Sequence, residues 1–254
     1  MKRIASILLL ACLGTLVVLA DDKPQPAFQI ADNTFFDPNR KEEKDPYVFH
    51  VDYRVEAGYV QHWQKTRAIS YPDMYLHGVR VGATFAFSMP YHFSLQTGVL
   101  YTLVYGKSEQ HWRSVDAPSV QVEYLKHRVL EHNLTIPLRT YYTIPLWKQL
   151  NLFFYTGPQL HIGLAETDYI QDHLSEGTRT WLASQSIPVS TYDRMADEIW
   201  RANIQWGLGG GFEWDCYRLE SGYDFGLNNL VRHPQLDGQH LSEWGWFVSF
   251  SYRF

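Results

Sequence analysis

From Phe49 onward apolar and polar residues alternate with a period of two, the mark of strands with two unlike faces. Phe49, Val51, Tyr53, Val55, Ala57 and Tyr59 interleave with His50, Asp52, Arg54, Glu56 and Gly58. The same texture returns in seven further runs: Tyr75–Ser88, Phe93–Tyr105, Leu130–Ile144, Leu150–Leu164, Asn203–Trp214, Tyr217–Leu227 and Glu243–Phe254. Charges within these runs fall on the polar parity alone, at Asp52, Arg54, Glu56, Arg80, Arg139, Arg218 and Glu220 among others. The pattern predicts eight strands.

A soluble sandwich would alternate too, so parity alone does not decide the fold. Three other features do. The apolar faces are rich in aromatics that crowd the strand ends (Phe49, Trp63, Phe87, Tyr105, Tyr142, Trp206, Trp214, Trp244 and Tyr252), as in the interfacial girdles of membrane barrels. The runs reach about ten residues, the length a tilted strand needs to cross a bilayer, where soluble strands are usually nearer five or six. The connections alternate between tight ones (Met89–Tyr91, Pro145–Gln149, Asp215–Cys216) and long ones at 64–74, 106–128, 165–200 and 229–241. Short periplasmic turns and long outer loops make the same alternation. The expected fold is all-β, an eight-stranded antiparallel up-and-down transmembrane β-barrel over residues 47–254, in the outer membrane of a Gram-negative cell. An even strand count puts both barrel ends on the periplasmic side.

The N-terminal residues fit export. Lys2 and Arg3 precede an apolar stretch from Ile4 to Leu19, and Val18-Leu19-Ala20 offers a cleavage point, so residues 1–20 read as a signal peptide. Leu9-Leu10-Ala11-Cys12 resembles a lipobox, but the apolar run continues past Cys12. Residues 21–46, with four prolines and the run Arg40-Lys41-Glu42-Glu43-Lys44, read as a periplasmic arm or linker. After cleavage one cysteine remains, Cys216, so no intrachain disulfide is available. A net charge of -5 gives no indication of a nucleic-acid partner.

A barrel of eight strands has an interior just wide enough for side chains. Its inward carboxylates (Asp52, Glu56, Glu131, Glu213, Glu220, Asp224, Glu243) and arginines (Arg54, Arg80, Arg139, Arg218, Arg253) are expected to pair, because a buried charge without a partner is costly. Such a filled lumen argues against a diffusion pore. One chemical alternative is a lipid A-modifying hydrolase with His77, His132 and Ser242 on the lipid face. No carboxylate shares their parity, and the three lie on separate strands, with Ser242 and His77 about 10 Å apart by strand spacing. The acidic residues Asp168, Asp172, Glu176, Asp193, Asp197 and Glu198, with His173, match no calcium-loop spacing. Tyr192–Trp200 is expected to form a short amphipathic helix on the rim. Partner surfaces are expected there and on 106–128, where Trp112, Tyr124 and Arg128 mix aromatic and basic groups. No catalytic, cofactor-binding or metal-binding residue is assigned.

Several segments carry a family resemblance. Asn133-Leu134-Thr135-Ile136-Pro137-Leu138 followed by Tyr141-Tyr142 is the most specific, and Tyr155-Thr156-Gly157-Pro158, Gly207–Phe212, Leu219–Tyr223, Gly226–Asn229 and Ser251-Tyr252-Arg253-Phe254 also fit. On these the chain resembles the Bacteroidetes-type outer-membrane protein β-barrel domain family, often called PorT-like, from about Phe49 to Phe254. Thr135 stands where the family usually has Glu, and Tyr141 where it has Lys. The resemblance implies a non-enzymatic structural, assembly or surface-interaction role linked to protein secretion. It also implies contact with outer-membrane lipids and lipopolysaccharide, passage through the barrel-assembly machinery, and secretion or envelope protein partners.

Overall fold

The computed structural model describes residues 50–67, 72–116, 122–185, 187–232 and 239–254. The expected signal peptide at 1–20, Cys12 and the arm at 21–46 lie outside the described residues. Eight long antiparallel strands form the wall: β1 (Val51–Arg67), β2 (Met74–Ser88), β3 (Phe93–Arg113), β4 (Val122–Pro145), β5 (Leu150–His173), β7 (Ala202–Trp214), β8 (Tyr217–Gly226) and β9 (His240–Arg253). Between β5 and β7 lie helix α1 (Glu176–Ser184), the two-residue strand β6 (Tyr192–Asp193) and the single turn α2 (Arg194–Asp197).

Each wall strand pairs with its chain neighbours in the wall, and β1 pairs with β9, so the sheet closes on itself. The expected eight-stranded up-and-down barrel is the observed fold. Its stagger follows from the pairing. Stepping from Val51 through Phe87, Leu95, Thr140, Thr156, Leu208, Tyr223 and Trp246 returns to β1 at Gln61, ten residues up the strand. That shear, with eight strands, tilts the wall and sets a lumen that side chains fill.

Strand parity sorts the residues. Outward positions carry Tyr53, Val79, Val99, Leu138, Phe154, Ile204, Phe212, Leu219 and Phe250, each about half exposed. An apolar belt of that extent around a protein in water would be strongly unfavourable, whereas hydrocarbon accepts it. Two indoles on the belt pair locally: Trp206 Nε1 donates to Thr156 Oγ1 at 2.9 Å, and Trp246 Nε1 to Gln61 Oε1 at 3.0 Å. Lipid supplies no partners, so such pairing is required there.

The tight turns fall where the sequence places them, between Ser88 and Phe93, Pro145 and Leu150, and Trp214 and Tyr217. Asp215 adopts φ 54°, a left-handed conformation that Asp tolerates. The opposite end differs from expectation. Much of the region assigned to loops 106–128 and 165–200 is strand, because β3, β4 and β5 keep pairing up to Arg113↔Val122 and Tyr124↔His173. The three strands therefore stand above the rest of the rim as a blade. Its inner face carries Leu125 and Val129, fully buried, and α1 adds the buried Leu182.

Candidate functional site

Inside the wall, charge is arranged in tiers. At the end that carries the tight turns Glu213 accepts from three guanidiniums: Arg54 at 2.9 Å, Arg218 at 2.7 and 3.0 Å, and Arg253 at 2.9 Å. Asp52 lies farther off, 3.8 Å from Arg54. One level up, Arg80 binds Glu56, while Arg139 holds Glu220 at 3.1 Å and Asp224 at 3.3 Å. Inward aromatics fill the gaps. Arg80 lies 3.4 Å over the Phe247 ring, Arg139 4.6 Å over Tyr155, and Arg218 4.5 Å over Phe153. Desolvated cations over ring faces are strongly held. Across these lower tiers five arginines meet five carboxylates, so charge balances.

The upper tier is built differently. Glu131, Glu166 and Glu243 are all buried, and the buried cation among them is Arg194, which reaches down from α2 to bind Glu166 and Gln64. A register shift in the β4–β5 pairing at His132/Asn133 explains the position of Glu166. On β5 the inward parity runs through Gln159, His161 and Gly163, then slips by one, so Glu166 and Asp168 also point inward. Asp168 is met by His127 Nδ1 at 2.7 Å.

The roof of this tier is the 194–200 segment. Met195 is buried over Gly163, where a β-carbon would overlap its thioether. Ile199 packs with Leu230 and Leu241, and the Trp200 amide donates to the Leu230 carbonyl at 2.8 Å. The expected rim helix at Tyr192–Trp200 is instead a two-residue strand and one helical turn that plug the mouth. The plug is fixed because an arginine at its centre finds a carboxylate below. Under it a cavity of about 10 Å³, room for about one water-sized occupant, is lined by Glu131, His161, Glu166, Asn203 and Glu243.

The structure does not assemble the hydrolase set. His77 Nδ1 is bonded to the Tyr59 hydroxyl at 2.8 Å and His132 Nδ1 to the Tyr101 hydroxyl at 2.6 Å, on the lipid face. Ser242 sits opposite Lys65 on one side of β1, whereas His77 sits opposite Gln61 on the other. Of the acidic loop residues, Asp168 is buried on β5, Asp172 pairs with Arg179 at 2.5 Å, and Asp193 caps the Met195 amide at 3.0 Å. Trp112, Tyr124 and Arg128 lie on the blade strands. Of the upper-tier residues the sequence points to Glu131 and Glu243 as inward carboxylates, while His62, His161, Glu166 and Arg194 carry no such signal. The lower arginines and carboxylates pair as expected.

A family model for the outer membrane protein beta-barrel domain matches residues 50–232. The chain belongs to this family. An outer-membrane location follows, in agreement with the apolar belt and the closed register. No curated protein matches the chain. Solved structures similar to this family member include Ail, the attachment invasion locus protein of Yersinia pestis, at 11% identity and a TM-score of 0.35, covering 80% of this chain and 98% of that one. Neisserial surface protein A is similar at 10% identity and a TM-score of 0.33, covering 80% and 97%. OprG from Pseudomonas aeruginosa is similar at 9% identity and a TM-score of 0.34, covering 80% and 95%.

Proposed function

We propose that this barrel is a non-enzymatic, non-conducting outer-membrane protein that acts through its extracellular blade, as a surface-interaction or assembly component of the PorT-like kind linked to protein secretion. One observation carries the reading: the lumen is filled and roofed, while β3, β4 and β5 are prolonged beyond the belt. The outward face of the prolongation carries Lys107, Arg113, Lys126 and Arg128 against Glu109, with Tyr124, Tyr169, His111 and His173 between them. Lys107 stands directly opposite Arg128. Like charges facing each other across strands are destabilising, and an anionic partner would relieve them. The Asn133–Leu138 motif supports the PorT-like assignment. In this reading residues 1–20 direct export and 21–46 form a periplasmic arm. The lipid A hydrolase alternative loses ground because His77 and His132 are each bonded to a tyrosine.

The test is mild-detergent extraction of a tagged copy, beside a variant with Lys107→Glu, Lys126→Glu and Arg128→Glu, with mass spectrometry of what co-purifies. Secretion or envelope proteins retained by the wild type and lost by the variant support the proposal. A barrel that extracts alone, together with altered lipid A in a deletion strain, overturns it.

A further inference from the structure

We infer that His62, His161 and Glu243 bind a first-row divalent cation of the zinc class inside the lumen, beneath the 194–200 plug. This site is independent of the blade and of the function proposed for it. The three residues come from β1, β5 and β9, all are buried, and one ligand atom of each lies within 4.8 Å of the others. Glu243 Oε1 is 3.7 Å from His62 Nδ1 and 3.6 Å from His161 Nε2. These separations are too long for hydrogen bonds. They suit two ligands that share one ion: tetrahedral ligands at about 2.0–2.1 Å from zinc lie ~3.4 Å apart. Glu131 Oε1 lies 3.9 Å from His161 Nε2, beside the three-residue cluster.

Two further observations point the same way. Both facing imidazole nitrogens, His62 Nδ1 and His161 Nε2, are buried without a hydrogen bond among the described residues, as is the amide of the neighbouring Asn203. An imidazole nitrogen left bare in such a place is costly unless something else meets it. Two of the ligands are also held by neighbouring side chains, as metal ligands usually are. Thr135 Oγ1 lies 3.1 Å from His161 Nδ1, Gln205 Nε2 donates to Glu243 Oε1 at 3.2 Å, and Asn133 Nδ2 donates to Glu131 Oε1 at 2.8 Å. Charge completes the case. The lower tiers balance, but around this cluster Glu131, Glu166 and Glu243 face one arginine, Arg194, while Asp168 lies apart with His127, and a divalent cation would offset the excess. Two imidazoles and carboxylate oxygens form a donor set suited to zinc, iron(II) and their neighbours. The adjoining cavity of about 10 Å³ offers room beside the ligands.

The experiment uses the folded barrel with a tag free of histidine, stripped with a chelator and titrated with Zn²⁺ by calorimetry. The expected result is one equivalent bound per barrel, with a higher unfolding midpoint when zinc is present. His62→Ala, His161→Ala and Glu243→Gln should weaken binding by ~100-fold or more, and Thr135→Val by ~10-fold. Changing the exposed His111 and His173 to Ala should leave binding unchanged. Absence of stoichiometric binding, or binding that the ligand variants keep in full, overturns the site. Should the ligand variants fail to show the heat-dependent gel shift of a folded barrel, X-ray absorption on zinc-loaded wild type decides. A shell with two imidazoles supports the site, and a shell without them overturns it.

Discussion

Glu213→Gln is the sharpest test of the lumen. The substitution keeps the side-chain shape and removes one charge. In the wild type Glu213 receives four hydrogen bonds from Arg54, Arg218 and Arg253, at 2.7 to 3.0 Å. Without it, Arg54 and Arg253 keep only Asp52, 3.8 Å and 4.0 Å away, and Arg218 loses its ion pair. Removing one partner of a buried ion pair costs roughly 3–5 kcal/mol, because the remaining charge is left without compensation. The neighbouring Asp52→Asn change should cost less than about 1 kcal/mol, since its side chain is partly exposed and its contacts are long. Reversible denaturant unfolding of the barrel in liposomes or detergent measures both, with heat-dependent gel mobility as the check on folding. The reasoning fails if Glu213→Gln unfolds within 1 kcal/mol of wild type, or if the two variants rank in the opposite order.

Three further outcomes are expected. Gly222→Ala places a β-carbon onto the Tyr155 hydroxyl and should destabilise by about 1–3 kcal/mol, with part recovered in a Tyr155→Phe background; a double-mutant cycle with no coupling would contradict the packing. Arg194→Ala leaves Glu166 without its guanidinium, and protease cleavage within 186–200 should accelerate roughly 100-fold, the rate equivalent of about 3 kcal/mol; an unchanged rate would mean the plug is held by other contacts. Reconstituted in planar bilayers, the barrel should give no steady conductance, and a stable open level would contradict a filled lumen.

The wall was legible in the sequence because a membrane barrel must put apolar residues on one parity and keep charge off it, from Tyr53 on β1 to Tyr252 on β9. The existence of lumen pairs was legible too. Their partners were not, since Arg54 and Glu213 lie 159 residues apart and meet only through the stagger of the whole ring. Tyr141, Phe153, Tyr155 and Phe247 break the polar parity of their strands, and they are the rings over which the arginines sit. The blade was taken for loops because the outward residues past Tyr105 turn polar at Lys107, Glu109 and His111. The inward alternation through Leu125, His127 and Val129 carried the signal that the strands continue. Glu166 was hidden by the slip on β5, and Arg194 by its place in a segment without periodicity. The pairing of His62 with His161 needed three strands in register.

The blade has one more consequence, set by height. Each residue of β3 beyond Tyr105 advances ~3.3 Å, and a strand tilt of about 35–45° leaves roughly 20 Å of vertical reach by Arg113. Lys107 and Arg128 stand at the foot, next to the apolar belt, and Arg113 and Val122 at the tip, farthest from it. A bulky partner approaching this end of the barrel would touch the tip first, while small anions and lipid headgroups would reach the foot. The same three strands thus present one chemistry beside the membrane and another at their far end.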